Sequence, residues 1–466
     1  MRIHMNNKNK IALFNIMSTI LIQGLNFFSG PIFSSTLGTD NYGIAAVYLT
    51  WVQITSTVFS LQAAGTVAVA RANFPMEDQE KYQSSTLSLA TLSFSAFSIF
   101  TIIAVSLLSR RFSISMPMIL FGLIQAWGMY CVAFMNAKLT YEFKADRNFL
   151  LSVMISGLTI GASLFLIRCY PTEENYWGRI IGQSVIYGTA GVILFTDTIR
   201  KGKTFYKKEY WKFTLPITIP TIFHLLAHIV LNQSDKVMIQ GMLSNSEAGI
   251  YALASTFSAV MNASWHAFNN SWVPFYYEYT RQNQIDTMRH HARNYIELFS
   301  IITVGFILLS PEVFHLYASD RAFWAGTDFI PLFAVGYYFV FLYSFPVNFE
   351  FYNKKTKSIA VGTVCAALLN ILMNYIMIKW IGVIGAVIAT MLAHGILFIF
   401  HYLNARKMKE AVFPFRIMDF LPWISGVCGS CILHMICKDL WAVRWGTGAV
   451  LGIYLAMKVI RRKEIF

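Results

Sequence analysis

Four apolar stretches of the 466-residue chain carry polar side chains at helical spacing: Thr19, Gln23 and Asn26; Gln53, Thr57 and Ser60; His224, His228 and Asn232; and Ser258, Asn262, His266 and Asn269. Steps of three or four residues line one face of a helix, so each set forms a polar stripe. Amides, hydroxyls and imidazoles in such stripes can hydrogen-bond a polar cargo, or join packed helices to one another. Asn370, Asn374 and Gln125 read as contacts of the second kind. His224 and His228 stand four residues apart with no third ligand near, which suits packing, cleft lining or proton sensing and leaves no metal site. Cys428, Cys431, His434 and Cys437 imitate zinc spacing, but helical steps of three advance about 4.5 Å and turn about 300°, so the groups spiral apart. Trp265 and Trp272 flank His266 and Asn269, where their rings could stack on a cargo.

No Lys or Arg falls at the middle of an apolar stretch. Arg71, Arg179, Lys236, Lys379 and Arg444 stand at ends, where long stems can carry their charges to headgroups. Arg71 is also a candidate contact for an anionic group at the inner mouth, and Asp235-Lys236 a candidate ion pair at the outer one. All 23 acidic residues read as loop or end residues. Cationic cargo calls for carboxylates within the membrane, so their placement favours an anionic or neutral-polar cargo. Pro216 and Pro220 should kink or break the seventh stretch, because each removes a backbone hydrogen bond.

The elements that position these residues are membrane helices. The chain is 56% hydrophobic and 13% charged, against roughly 25% charged residues in a soluble domain. About 20 apolar residues cross a bilayer, and fourteen such runs follow one another, the seventh at 213–233. The basic start, Met1 to Lys10, leads into a run too long for a signal peptide and reads as the first span, retained. No gap is long enough for a soluble domain. With the N-terminus inside, inner segments hold 28 of the 37 Lys and Arg, and outer segments nine. That bias predicts cytoplasmic termini. It reduces the net charge of +14 to orientation and contact with anionic lipids, with no basic stripe for nucleic acid. Six cysteines are too few for a disulfide scaffold, and no catalytic motif or sizeable outer loop suggests a membrane enzyme.

The sequence also repeats. Leu37-Gly38 with Tyr42-Gly43 is answered by Leu243 with Ala248-Gly249, the glycines 206 apart. Gly178 and Gly188 answer Gly385 and Gly395 at 207, and Tyr141-Glu142-Phe143 answers Phe349-Glu350-Phe351 at 208. The offset covers an even number of helices, so the repeats are parallel. The expected layout is an N-lobe at 1–196, a cytoplasmic linker at 197–212, a C-lobe at 213–404, and two further helices with a basic tail at 405–466.

Asn26-Phe27-Phe28-Ser29-Gly30-Pro31, Leu37-Gly38, Leu215-Pro216, Asn232-Gln233-Ser234-Asp235-Lys236-Val237-Met238-Ile239 and Glu247-Ala248-Gly249-Ile250-Tyr251 together resemble polysaccharide-biosynthesis flippases. The likeness is to the O-antigen (Wzx-type) flippases of the multidrug/oligosaccharidyl-lipid/polysaccharide exporter superfamily. Many relatives carry an Arg just before Leu-Gly, where this chain has Ser34-Ser35-Thr36. The resemblance implies an all-α, MATE-like fold of about fourteen transmembrane helices: two parallel six-helix lobes plus two C-terminal helices. It implies movement of an undecaprenyl-diphosphate-linked oligosaccharide from the cytoplasmic to the periplasmic leaflet of the bacterial inner membrane by alternating access. Gln23, Asn26, Gln53, His228, Asn232, Asn262, His266 and Asn269 are then cleft candidates. No cofactor is expected beyond H+ or Na+ as coupling ion, and polymerase or assembly proteins are candidate partners. The rival on the same fold is a multidrug or cation antiporter.

Overall fold

A computed structural model describes residues 7–108, 115–408 and 412–462, with side chains described from Gly24 to Lys458 except at 26 and 108 and in the two gaps. Among these residues the chain is helical, with no strand. Helix α1 (Asn7–Phe59) is two helices joined at Gly38, where φ 69° and ψ 178° call for a residue without Cβ. Its second half bends by 59° into α2 (Thr66–Asn73). Then come α3 (Gln79–Leu108), α4 (Met116–Tyr141), α5 (Ala145–Ile167), α6 (Tyr176–Gly202) and α7 (Lys208–Met242). They are followed by α8 (Asn245–Arg281), α9 (Ile285–Tyr317), α10 (Ile330–Tyr352), α11 (Thr356–Ile381), α12 (Val383–Lys407), α13 (Leu421–Ile436) and α14 (Trp441–Arg462). With α1 counted as two and α2 as its continuation, these are the fourteen expected. Among the described residues nine helices are individually long and apolar enough to cross a membrane, or ten with the bent pair as one span.

Serines set two of the starts. Ser115 accepts from the Met118 amide, and Ser244, followed three residues later by Glu247, accepts from the Glu247 amide. Several helices outrun their apolar windows. Helix α7 passes through Pro216 and Pro220 as one element and continues nine residues past 233, so of the expected kink or break there is no break. Membrane helices tolerate proline where neighbours satisfy the freed carbonyls. Between α6 and α7 only 203–207 is non-helical.

Backbone packing divides the chain into two compact units, Met1–Ile229 and Val230–Phe466. In the first, close approach rests on glycine: a Cβ on Gly128 of α4 would lie 2.1 Å from the Tyr187 carbonyl oxygen of α6. The stretch after α6 is pinned to α3, with the Trp211 indole donating to the Ser85 carbonyl at 3.1 Å and Tyr82 bonded to Thr214 at 2.9 Å. In the second unit the core is aromatic. Phe299 stacks on Phe341 at 4.2 Å, and Trp272, Phe345, Phe415 and Phe420 extend the cluster. Helices α13 and α14 dock on α9 through His434 and the Ile307 carbonyl (3.1 Å), and through Arg444 to the Leu308 carbonyl (2.9 Å) and Glu312. Arg444, expected at a headgroup, is 1% exposed.

The repeat at offset 207 has a structural counterpart. Gly178 opens α6 against the end of α5, where a Cβ would lie 2.3 Å from the Ile167 backbone; Gly385 opens α12 against the end of α11, 2.3 Å from the Met377 carbonyl. Gly188 faces Ile124 of α4, and Gly395 faces Phe339 of α10. The Tyr-Glu-Phe match does not hold. Helix α4 ends in a left-handed Phe143 and α10 in a left-handed Lys354, 211 positions on, so Glu142 caps its helix while Glu350 lies inside its own.

Candidate functional site

The most concentrated buried polar chemistry of the second unit surrounds Asp235. Three residues past Asn232 on α7, it shares that residue's helix face and is 1% exposed. Thr390 of α12 donates to its Oδ2 at 2.7 Å, Asn374 of α11 donates to Oδ1 at 2.5 Å, and the Tyr251 hydroxyl of α8 donates to Oδ2. Asn370, one turn before Asn374, donates to Thr390 Oγ1 at 2.9 Å and accepts from Asn374 at 3.1 Å. These donors are all neutral. Among the described residues no donor meets the buried side-chain carbonyl oxygen of Asn374. A small cavity adjoins the carboxylate, lined among others by Asn232, Ser255, Tyr337, Thr390 and His394.

Burying a carboxylate costs far more than neutral hydrogen bonds return. Protonation, or a monovalent cation held by oxygens, removes that cost. The Asp235 oxygens, the free carbonyl of Asn374 and the hydroxyls of Thr390 and Tyr251 are a hard-oxygen donor set, which suits a proton or Na+ and not a soft metal. Among the described residues no group of three His, Cys, Asp or Glu could hold a metal ion.

This revises the expectation that acids avoid span interiors. Asp235 lies within α7, seven residues before its end. Glu350, in the last turn of α10 as expected of an end residue, is nonetheless fully buried, bonded to His401 (2.9 Å) and Asn404 (2.7 Å). A hydropathy window ending at 233 loses Asp235 because the polar run after it is matched by partners on three other helices. Lys236, the neighbour of Asp235 in the expected outer-mouth pair, donates to Gln233 at 2.7 Å.

Of the residues nominated from sequence, Asn232 and Asp235 come together at the cavity. Asn269 accepts from Asn348 of α10 at 3.1 Å, and Asn262 is half-buried. Gln53, His228 and His266 are exposed, and Arg71 stands half-buried in the last turn of α2. The side chains of Gln23 and Asn26 lie outside the described residues. Trp272 is 2% exposed within the aromatic core, so it offers no face to a sugar. Sequence reasoning missed Tyr251 and Thr390, and read Asn370 and Asn374 only as contacts that join helices, which they are. The usable signal was Asn370 and Asn374, two amides on one face of an apolar helix with Asp235 available to receive them.

The first unit has a neutral counterpart. Tyr48 donates to Gln125 Oε1 (2.9 Å), Gln125 donates to Gln183 Oε1 (3.0 Å), and Ser184 donates to Gln125 Oε1 (3.3 Å). All four are buried, and no acid takes part.

The fold is found in known transporters. The chain is similar to a structure titled Lipid II flippase MurJ in an inward closed conformation, with TM-score 0.71, 17% identity, and coverage of 97% of this chain and 99% of that one. It is also similar to an inward-facing multidrug resistance MATE family transporter of the MOP superfamily, with TM-score 0.60, 16% identity, and coverage of 86% and 99%. In sequence it is 22% identical over 380 residues to protein 1 of the Lsg locus of Haemophilus influenzae, spanning 76% of this chain and 89% of that protein. The profile of the polysaccharide biosynthesis protein family matches residues 10–279. The chain is therefore a multi-pass membrane protein with the fold of the MOP superfamily, and it belongs to the polysaccharide biosynthesis protein family.

Proposed function

We propose that this chain is a flippase that carries an undecaprenyl-diphosphate-linked oligosaccharide, such as an O-antigen unit, from the cytoplasmic to the periplasmic leaflet. It would work by alternating access in the bacterial inner membrane, with both termini cytoplasmic. The family match over residues 10–279 carries this reading. The physics of the task supports it, since a sugar head and diphosphate cannot enter hydrocarbon without polar partners. In this reading Asp235 binds the coupling ion, H+ or Na+, and the polar stripes of the lobes receive the head group.

A cation antiporter is the second reading, and the buried Asp235 is the observation in its favour. Two assays separate them. Restoration of surface polysaccharide in a strain lacking its own flippase supports the first reading. Dye efflux in a pump-deficient strain, without any such restoration, replaces it with the second.

A further inference from the structure

In the first unit, Arg179 lies in the opening turn of α6, with its guanidinium 4.3 Å from the ring of Phe33 and 5.3 Å from that of Tyr42. The two rings stand on either side of the Gly38 break, so the charge sits beside the turn between the halves of α1. Its Nε and Nη1 are buried, and among the described residues no acceptor meets them. The nearest acids in sequence, Glu173 and Glu174, are exposed and make no ion pair with it.

The surroundings are built. Asn175 donates to the Thr36 carbonyl at 2.9 Å, and Asn41 donates to the Thr172 carbonyl at 2.8 Å, tying the α5–α6 turn to both sides of the break. Ser35 and Thr36 beside it are exposed. The Tyr42 side chain also hydrogen-bonds the guanidinium, but the ring faces leave Nε and Nη1 unsatisfied, and a buried donor without an acceptor is costly. Each of those N–H groups can make a charge-assisted hydrogen bond to a phosphate oxygen. The first amides of α6, a 27-residue helix, add the positive end of its dipole.

We propose that Arg179, clamped by Phe33 and Tyr42 at the opening of α6, forms a phosphate-binding site of the first unit. Its ligand is a phosphate ester or diphosphate, borne by an anionic lipid or free in solution. The site does not depend on the transport reading above, because binding is measured without transport.

The test uses the purified full-length protein in phosphatidylcholine nanodiscs. Melting is followed on adding inorganic pyrophosphate, and separately on replacing part of the lipid with phosphatidylglycerol. The wild type is expected to be stabilised in at least one arm; a response to phosphatidylglycerol alone assigns the ligand to a lipid, and one to pyrophosphate assigns it to the free anion. Arg179→Gln should weaken the response about tenfold or more in apparent affinity, while Lys379→Gln, at an exposed cation, should leave it unchanged. Ser35→Asp places a carboxylate at an exposed position beside the break, leaves Phe33, Tyr42 and Asn175 in place, and should suppress the response. That variant decides the matter if Arg179→Gln does not fold. No stabilisation of the wild type in either arm, or equal responses from the wild type and Ser35→Asp, would overturn the proposal.

Discussion

Two buried polar centres, one in each unit, solve the same packing problem with different chemistry. In the first, Tyr48, Gln125, Gln183 and Ser184 satisfy one another and remain neutral at every physiological pH. In the second, Tyr251, Asn374 and Thr390 converge on Asp235, whose charge they cannot neutralise. A neutral network holds helices together without answering to protons or cations. A carboxylate held by neutral donors beside a small cavity also answers to protons and cations. Repeated architecture therefore does not mean repeated function: one centre is structural, while the other has the chemistry of an ion site.

Substitutions can break or sharpen that contrast. Asp235→Asn keeps the shape and removes the charge; polysaccharide output in a complemented strain should fall about 100-fold, with protein abundance retained. Next come the paired glycines: Gly178→Ala and Gly385→Ala each push a methyl into a neighbouring backbone at 2.3 Å. Each should destabilise the protein by about 3 kcal/mol in thermal melts, since backbone can yield little. Equal losses would support the structural repeat, and a loss at one glycine alone would break it.

Gln125→Leu strands the Gln183 carbonyl and takes one partner each from Tyr48 and Ser184, which keep their bond to one another, at a cost of about 1–3 kcal/mol. Output per folded molecule should remain, unlike that of Asp235→Asn. The smallest effect belongs to Glu142, outside the span at the end of α4. Burial raises its carboxyl pKa, but the hydrogen bond from Lys144 and the charge of Lys138 outweigh that and hold it below 4.5. A depressed folded value means stability present above 4.5 and lost as pH falls through the folded value. The Tm difference between wild type and Glu142→Gln should therefore exist at neutral pH and vanish in acid.

The membrane architecture was legible because the bilayer imposes a length and composition that few other structures share. The glycine repeat was legible for a similar reason: Gly178 and Gly385 stand where a Cβ would meet backbone, and no other residue fits. The Tyr-Glu-Phe match misled because local likeness carries no register; Glu142 caps a helix and Glu350 lies inside one. The Asp235 site was half legible. Asn232 and Asp235 were singled out, but an apolar window could not show that Tyr251, Asn374 and Thr390 from three other helices compensate a carboxylate. For the same reason Arg444 read as a headgroup anchor, whereas Glu312 and backbone carbonyls of α9 hold it in the interior.

The central claim, that the second unit carries an ion-responsive carboxylate, is tested most directly by melting purified wild type and Asp235→Asn in detergent. Na+ is exchanged for choline at constant ionic strength, and pH is varied from 5 to 8, the ordinary working range. The account predicts that wild-type Tm rises with Na+ or with acidification, and that Asp235→Asn loses this response. An equal response in both proteins would contradict it.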